Sequence, residues 1–128
     1  MKIFNTNVDH YSEKVNFVDD NNVLVGFDMD GQCCESFGWA LTRQLSMKKI
    51  PERGANGIDP YGYNFDTSFH TRECVEPNGC EETMVATFKL KKDGEKSIYL
   101  RLWNCHNGYY AHGFDMCQGE TTLYQGDL

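Results

Sequence analysis

The sharpest hydrophobic pattern lies near the middle of the second half of the chain. Over residues 84–92, Met84, Ala86, Phe88 and Leu90 alternate with Val85, Thr87 and Lys89. Over residues 97–103, Ile98, Leu100 and Leu102 alternate with Tyr99, Arg101 and Trp103. Period two is the signature of a pleated strand, whose successive side chains point to opposite faces. Asp93-Gly94 joins the runs, and that dipeptide readily supplies the positive φ of a tight connection. A β-hairpin with a left-handed Gly94 is therefore predicted. Residues 14–28 repeat the logic: Val15 and Phe17, then Val23, Val25 and Phe27, flank Asp19-Asp20-Asn21-Asn22, a turn-forming run. A further strand is predicted over residues 109–114, after Asn107-Gly108, which would extend the first hairpin into an antiparallel meander.

Two segments break this rhythm. Ala40, Leu41, Gln44, Leu45 and Lys48 have helical spacing and Pro51 follows, so residues 37–49 are predicted to form one short helix. Residues 50–83 hold Gly54, Gly57, Pro60, Gly62, Pro77 and Gly79 and sustain no period, which predicts a long irregular loop or insertion. Within it the alternation of Tyr61, Tyr63, Phe65 and Phe69 allows a short strand near 61–69. The expected fold is α+β: a small single domain over residues 1–128, mainly an antiparallel β meander with one short helix.

The length of 128 residues suits one domain with its own core. With 40% hydrophobic and 24% charged residues the chain is no disordered tail. The absence of an 18-residue apolar run excludes a helical membrane span. The net charge of −7 argues against a general nucleic-acid or anionic-membrane binder. That charge is uneven. Residues 50–83 carry seven acidic and two basic side chains, whereas residues 84–103 have a net charge of +3.

Six cysteines are present: Cys33, Cys34, Cys74, Cys80, Cys105 and Cys117. No apolar leader is evident at the N-terminus, so a cytoplasmic location with six reduced thiols is the expectation. Asp28-Met-Asp30-Gly31 opens like a calcium loop but lacks the later ligands, and reads as a turn. A Cys33 or Cys34 nucleophile would need a histidine base, yet none of His10, His70, His106 and His112 sits in a catalytic signature. Cys74, Cys80, Cys105, His106 and His112 could supply zinc ligands, but the Cys74 to Cys80 step is off the usual spacing. No catalytic, cofactor-binding or metal residue is assigned, and no cofactor is expected.

Asp30-Gly-Gln-Cys-Cys-Glu35 resembles the Asp-x-x-Cys-Cys-Glu signature of an uncharacterised family of small phage and bacterial proteins. The stretch from Arg101 to Tyr110, with its Asn107-Gly-Tyr-Tyr110, is similar to that family's C-terminal strand–turn–strand. The resemblance covers residues 14–37 and 84–115. It implies a small α+β domain and no assigned activity, so it carries no functional residue across.

Size, acidity and the lack of catalytic motifs favour a protein-binding inhibitor, an immunity protein that neutralises a basic toxin or nuclease. The alternative is a phage or mobile-element accessory protein that binds another host protein or a small ligand. A Cys/His enzyme or metal protein comes third. The expected partner-binding residues are Asp59, Tyr61, Tyr63, Phe65, Asp66, Glu73, Glu76, Glu81 and Glu82. Aromatic anchors would supply affinity there, and carboxylates would steer association.

Overall fold

A computed structural model describes residues 1–9, 12–29, 36–46, 50–75, 82–106 and 111–128. The described residues contain nine strands: β1 (Lys2–Asp9), β2 (Ser12–Val18), β3 (Val23–Asp28), β4 (Ser36–Thr42), β5 (Asn64–Val75), β6 (Glu82–Lys91), β7 (Ile98–His106), β8 (Gly113–Gln118) and β9 (Thr121–Asp127). They form two antiparallel sheets. The first has the order β1-β2-β3-β8-β9 and the second β4-β7-β6-β5.

The inner strands turn apolar rows into the space between the sheets. Val15 and Phe17 of β2, Val23, Val25 and Phe27 of β3, and Phe114 and Met116 of β8 face Leu41, Phe88, Leu90, Ile98, Leu100 and Leu102 of the second sheet. Rings lock the two layers together: Phe17 meets Trp39 edge-on at 5.0 Å, and Phe88 meets Phe114 at 6.0 Å. Each such fully buried side chain contributes about 1.5–3 kcal/mol. A polar clamp adds to this packing. One Asp19 carboxylate oxygen accepts from the Asn21 and Val23 amides within its own turn, and the other accepts from the Phe65 amide of β5 at 2.8 Å. The β2–β3 turn of one sheet is thereby tied to the first residues of β5 in the other.

The α+β expectation is overturned, because no helix occurs among the described residues and both layers are sheets. Of the predicted helix over 37–49, residues 37–42 lie in β4, residues 43–46 are irregular and residues 47–49 lie outside the described residues. In β4, Phe37, Trp39 and Leu41 alternate with Ser36, Gly38, Ala40 and Thr42. Leu41 is buried in the main core and Trp39 packs against it, while Ala40 is buried with Trp103 and Val85 on the opposite face. Both faces are covered, so a continuous apolar stretch survives as a strand.

The meander is also displaced. β6 and β7 form the expected hairpin, but β8 leaves that sheet and pairs with β3 and β9. The true meander is β5-β6-β7. Its first strand takes residues 64–75 out of the expected irregular loop, and its register shifts between Phe65 and His70. The Asp-Gly connection is longer than two residues: Ile98 pairs with Leu90, the Glu95 amide donates to the Lys92 carbonyl, and Gly94 has the predicted left-handed φ of 78°.

Candidate functional site

The residues expected to bind a partner begin at a turn before β5. The Tyr63 amide donates to the Pro60 carbonyl at 3.1 Å, with Gly62 at a φ of 78° in the third position. Glycine reaches that conformation without the Cβ clash other residues meet. Asp59 Oδ1 accepts from the Tyr61 amide, and the Met1 amino group donates to the same Pro60 carbonyl at 2.9 Å. Three bonds thus fix a four-residue turn whose second side chain points away from the protein. That side chain is Tyr61, 78% exposed.

The ring has company on one side. Lys92 Nζ lies 5.9 Å from the Tyr61 ring centroid and 5.7 Å from that of Tyr63. A cation over an aromatic face is attracted by the ring quadrupole, which steadies the exposed ring. Nothing local in the sequence pairs Lys92 with Tyr61, since their contact depends on how β5 and β6 align. Asp20, Asp59, Asp93 and Glu95 are exposed on the turns at this end of the sandwich. The Asp20 turn is held to β5 through the Asn64 side chain.

Tyr63 and Phe65 do not belong to a binding surface. Each is only 6% exposed and part of the core, and the Tyr63 hydroxyl donates to the Lys96 carbonyl. The expectation that they anchor a partner is thereby corrected: alternation marked a strand face turned inward. Asp66 is engaged internally as well. It accepts from the Ser68 hydroxyl at 2.6 Å and amide at 3.1 Å, and meets Lys91 at 3.0 Å. The Ser68 hydroxyl, then Lys91, hold its pKa down at about 2. Glu73 is exposed on β5, nine residues beyond Asn64. At roughly 3.3 Å per residue that places it on the order of 25 Å from the Tyr61 turn, once the irregular stretch is allowed for. Glu76 and Glu81 lie outside the described residues, as does the Glu82 side chain. The structure therefore joins Asp59 to Tyr61 and separates both from Glu73.

The thiol expectation also changes. Cys105 is in a disulfide whose partner lies outside the described residues, while Cys74 and Cys117 stand as thiols. Among the described residues no three His, Cys, Asp or Glu side chains gather at a point where one metal ion could sit. His112, one of the zinc candidates, is buried, donates its Nδ1–H to the Asp28 carbonyl and stacks on Phe37 at 4.0 Å. The motifs at residues 30–35 and 107–110 that carry the family resemblance lie outside the described residues.

A buried cation escaped the sequence reading altogether. Arg101 is 1% exposed, and burial pushes its pKa below the usual value while Glu73 and Tyr99 oppose that shift. An arginine in an alternating strand reads as a solvent-facing position, but here the hydroxyls of Thr42 and Thr87 and the carbonyls of Gln44 and Leu45 surround its guanidinium.

No helix of the described structure is long and apolar enough to cross a membrane. No family model matches the chain, and neither a curated protein nor a solved structure matches it.

Proposed function

We propose that the protein is a binding protein without catalysis of its own, an acidic inhibitor of the immunity type that docks on a basic protein partner such as a toxin or nuclease domain. The observation that carries this reading is Tyr61, a large aromatic side chain 78% exposed on a turn fixed by three hydrogen bonds. A rigid aromatic offers contact area at low entropic cost, and such residues dominate the energetics of interfaces. Asp20, Asp59, Asp93 and Glu95 at the same end supply charge complementary to a basic surface.

The test is capture from the native host, identification of the bound protein, and kinetics with that partner. Tyr61→Ala is expected to speed dissociation at least about tenfold, as loss of a central anchor does. Asp59→Lys combined with Asp93→Lys is expected to slow association and flatten its dependence on salt. A captured partner that is acidic, or one that binds Tyr61→Ala with unchanged kinetics, would sink the proposal.

A further inference from the structure

Each sheet ends in strands with a neighbour on one side only: β1 and β9 in the first, β4 and β5 in the second. An edge strand offers unpaired N–H and C=O groups to any chain that can lie beside it, and folds usually blunt it with a bulge, a charge or a cover. Three of these edges are blunted. Gly54 bridges to Ala40 and exchanges backbone hydrogen bonds with Trp39 and Leu41, which covers the edge of β4. The register of β5 shifts between Phe65 and His70, and Arg72 and Glu73 stand exposed along it. The β9 ladder skips Leu123, and the strand carries Asp127. By contrast, β1 keeps one unbroken register with β2 from Lys2 to Asn7, and residues 3–6 carry no charge.

The ladder shows which backbone groups of β1 face the open side. In an antiparallel pair both groups of a residue point to the same neighbouring strand, and successive residues point to opposite ones. The Asp19 amide donates to the Val23 carbonyl and the Met29 amide to the Glu13 carbonyl, so the odd-numbered residues of β2 bond to β3. The even-numbered ones, Lys14, Asn16 and Val18, then bond to their partners Thr6, Phe4 and Lys2. Ile3 and Asn5 are left with N–H and C=O directed away from the sheet. Ile3 packs toward the core, so Phe4 lies on the outer face, where it is 43% exposed. The other layer leaves this edge open. Phe17 of β2 meets Trp39 of β4, the last strand of the second sheet, so β1 projects one strand beyond β4.

We propose that the free edge of β1 pairs with the same edge of a second copy of this chain, antiparallel about a two-fold axis at Phe4, so that two five-stranded sheets become one continuous sheet. In this register Ile3 exchanges both ladder bonds with Asn5 of the second copy, and Asn5 does so with its Ile3. Phe4 stands opposite its own counterpart as a non-hydrogen-bonded pair, the position at which side chains across a ladder come closest. Lys2 falls opposite Thr6, so no like charges are directly opposed. The edge is thus its own complement, as an isologous contact requires. A basic partner, by contrast, finds no carboxylate on residues 3–6 to steer toward. The contact is short and falls below the roughly 1,200 Å² of stable complexes, so the pairing is transient. It does not depend on the function proposed for the Tyr61 turn.

The test is sedimentation equilibrium of the full-length protein from about 20 to about 500 μM, with half-association expected on the order of 100 μM, as suits a small interface. Added salt should strengthen the association, because it screens the repulsion between two copies that each carry −7. Amide hydrogen exchange supplies the register. At the upper concentration the Ile3 and Asn5 amides should exchange about threefold more slowly than at the lower one, while the Phe4 and Thr6 amides, already bonded to β2, keep their rates. Phe4→Lys places like charges opposite each other at the axis and is expected to weaken association at least about tenfold. Should that variant fail to fold, the exchange pattern of the unaltered protein decides. A protein that stays monomeric throughout, a dimer that Phe4→Lys leaves intact, or Ile3 and Asn5 amides indifferent to concentration would overturn the proposal. Protection of those amides that appears only when another protein is added would assign the edge to a foreign strand and overturn it equally.

Discussion

Asp19 shows how much one side chain can organise. Its carboxylate accepts three backbone amides, two in its own turn and one across the sandwich. Asp19→Ala strands the donors at Val23 and Phe65 in buried surroundings, and is expected to cost about 3 kcal/mol in chemical denaturation. Asp66 yields a pH prediction. Its pKa is lowered in the fold from 3.8 to about 2, so its ionised form is favoured by folding. The stabilisation is present above the unfolded value and is lost as pH falls through the folded one. Carboxyl NMR titration is expected to find Asp66 near 2, with Ser68→Ala moving it upward; an ordinary value in the native protein would dissociate the Ser68 contact. Gly94 sits at a φ of 78° with open space around its missing Cβ. Replacing it by valine therefore costs backbone strain alone, about 1–2 kcal/mol, measurable as a lowered unfolding midpoint.

At the scale of elements, β4 is the instructive case. Its residues can be laid on a helical wheel, but large and small side chains alternate along it, with Phe37, Trp39 and Leu41 on one face. That period was present in the sequence. It is obscured because Ala40 and Gly38 on the other face are also nonpolar, and they are so because Trp103 and Arg53 lie over them. Leu41→Ala should cost about 2–5 kcal/mol, the range for truncating a fully buried leucine. Ala40→Leu should also destabilise, which a strand covered on both faces requires and a surface helix does not. β1 and β9 were missed for a different reason. Both are edge strands with short apolar content, and the side chains of β9 are mostly exposed. Pairing with β2 and β8 decides their conformation, not their own pattern.

On the scale of the whole molecule, the Cys105 disulfide sets a number that chemistry can count. Six cysteines less one bridge leave at most four reactive thiols in the unfolded, unreduced protein. A thiol titration that finds six would remove the bridge and with it a constraint on the unfolded chain. The distribution of carboxylates is equally a property of the assembled sandwich. Residues 50–83 are acidic as a segment, yet β5 carries Glu73 away from Asp59, and Asp66 is engaged by Ser68 and Lys91.

What the sequence determined by itself is local. The alternation of Val15, Phe17, Val23, Val25 and Phe27, and of residues 84–90 and 98–102, defines two hairpins, because a half-buried strand must present every second residue to the core. Gly94 was readable as a left-handed turn residue, because few side chains tolerate that φ. Tyr61 was readable as a candidate anchor, but Tyr63 and Phe65 carry the same signal and are buried. An aromatic on a strand looks alike whether its face meets water or another sheet. The tertiary structure alone decided which face that was, how β8 was assigned to the first sheet, and that Arg101 lies under residues 43–46. Those outcomes depend on contacts between residues far apart in the chain, where loop closure and packing between layers choose among arrangements that local pattern leaves equivalent.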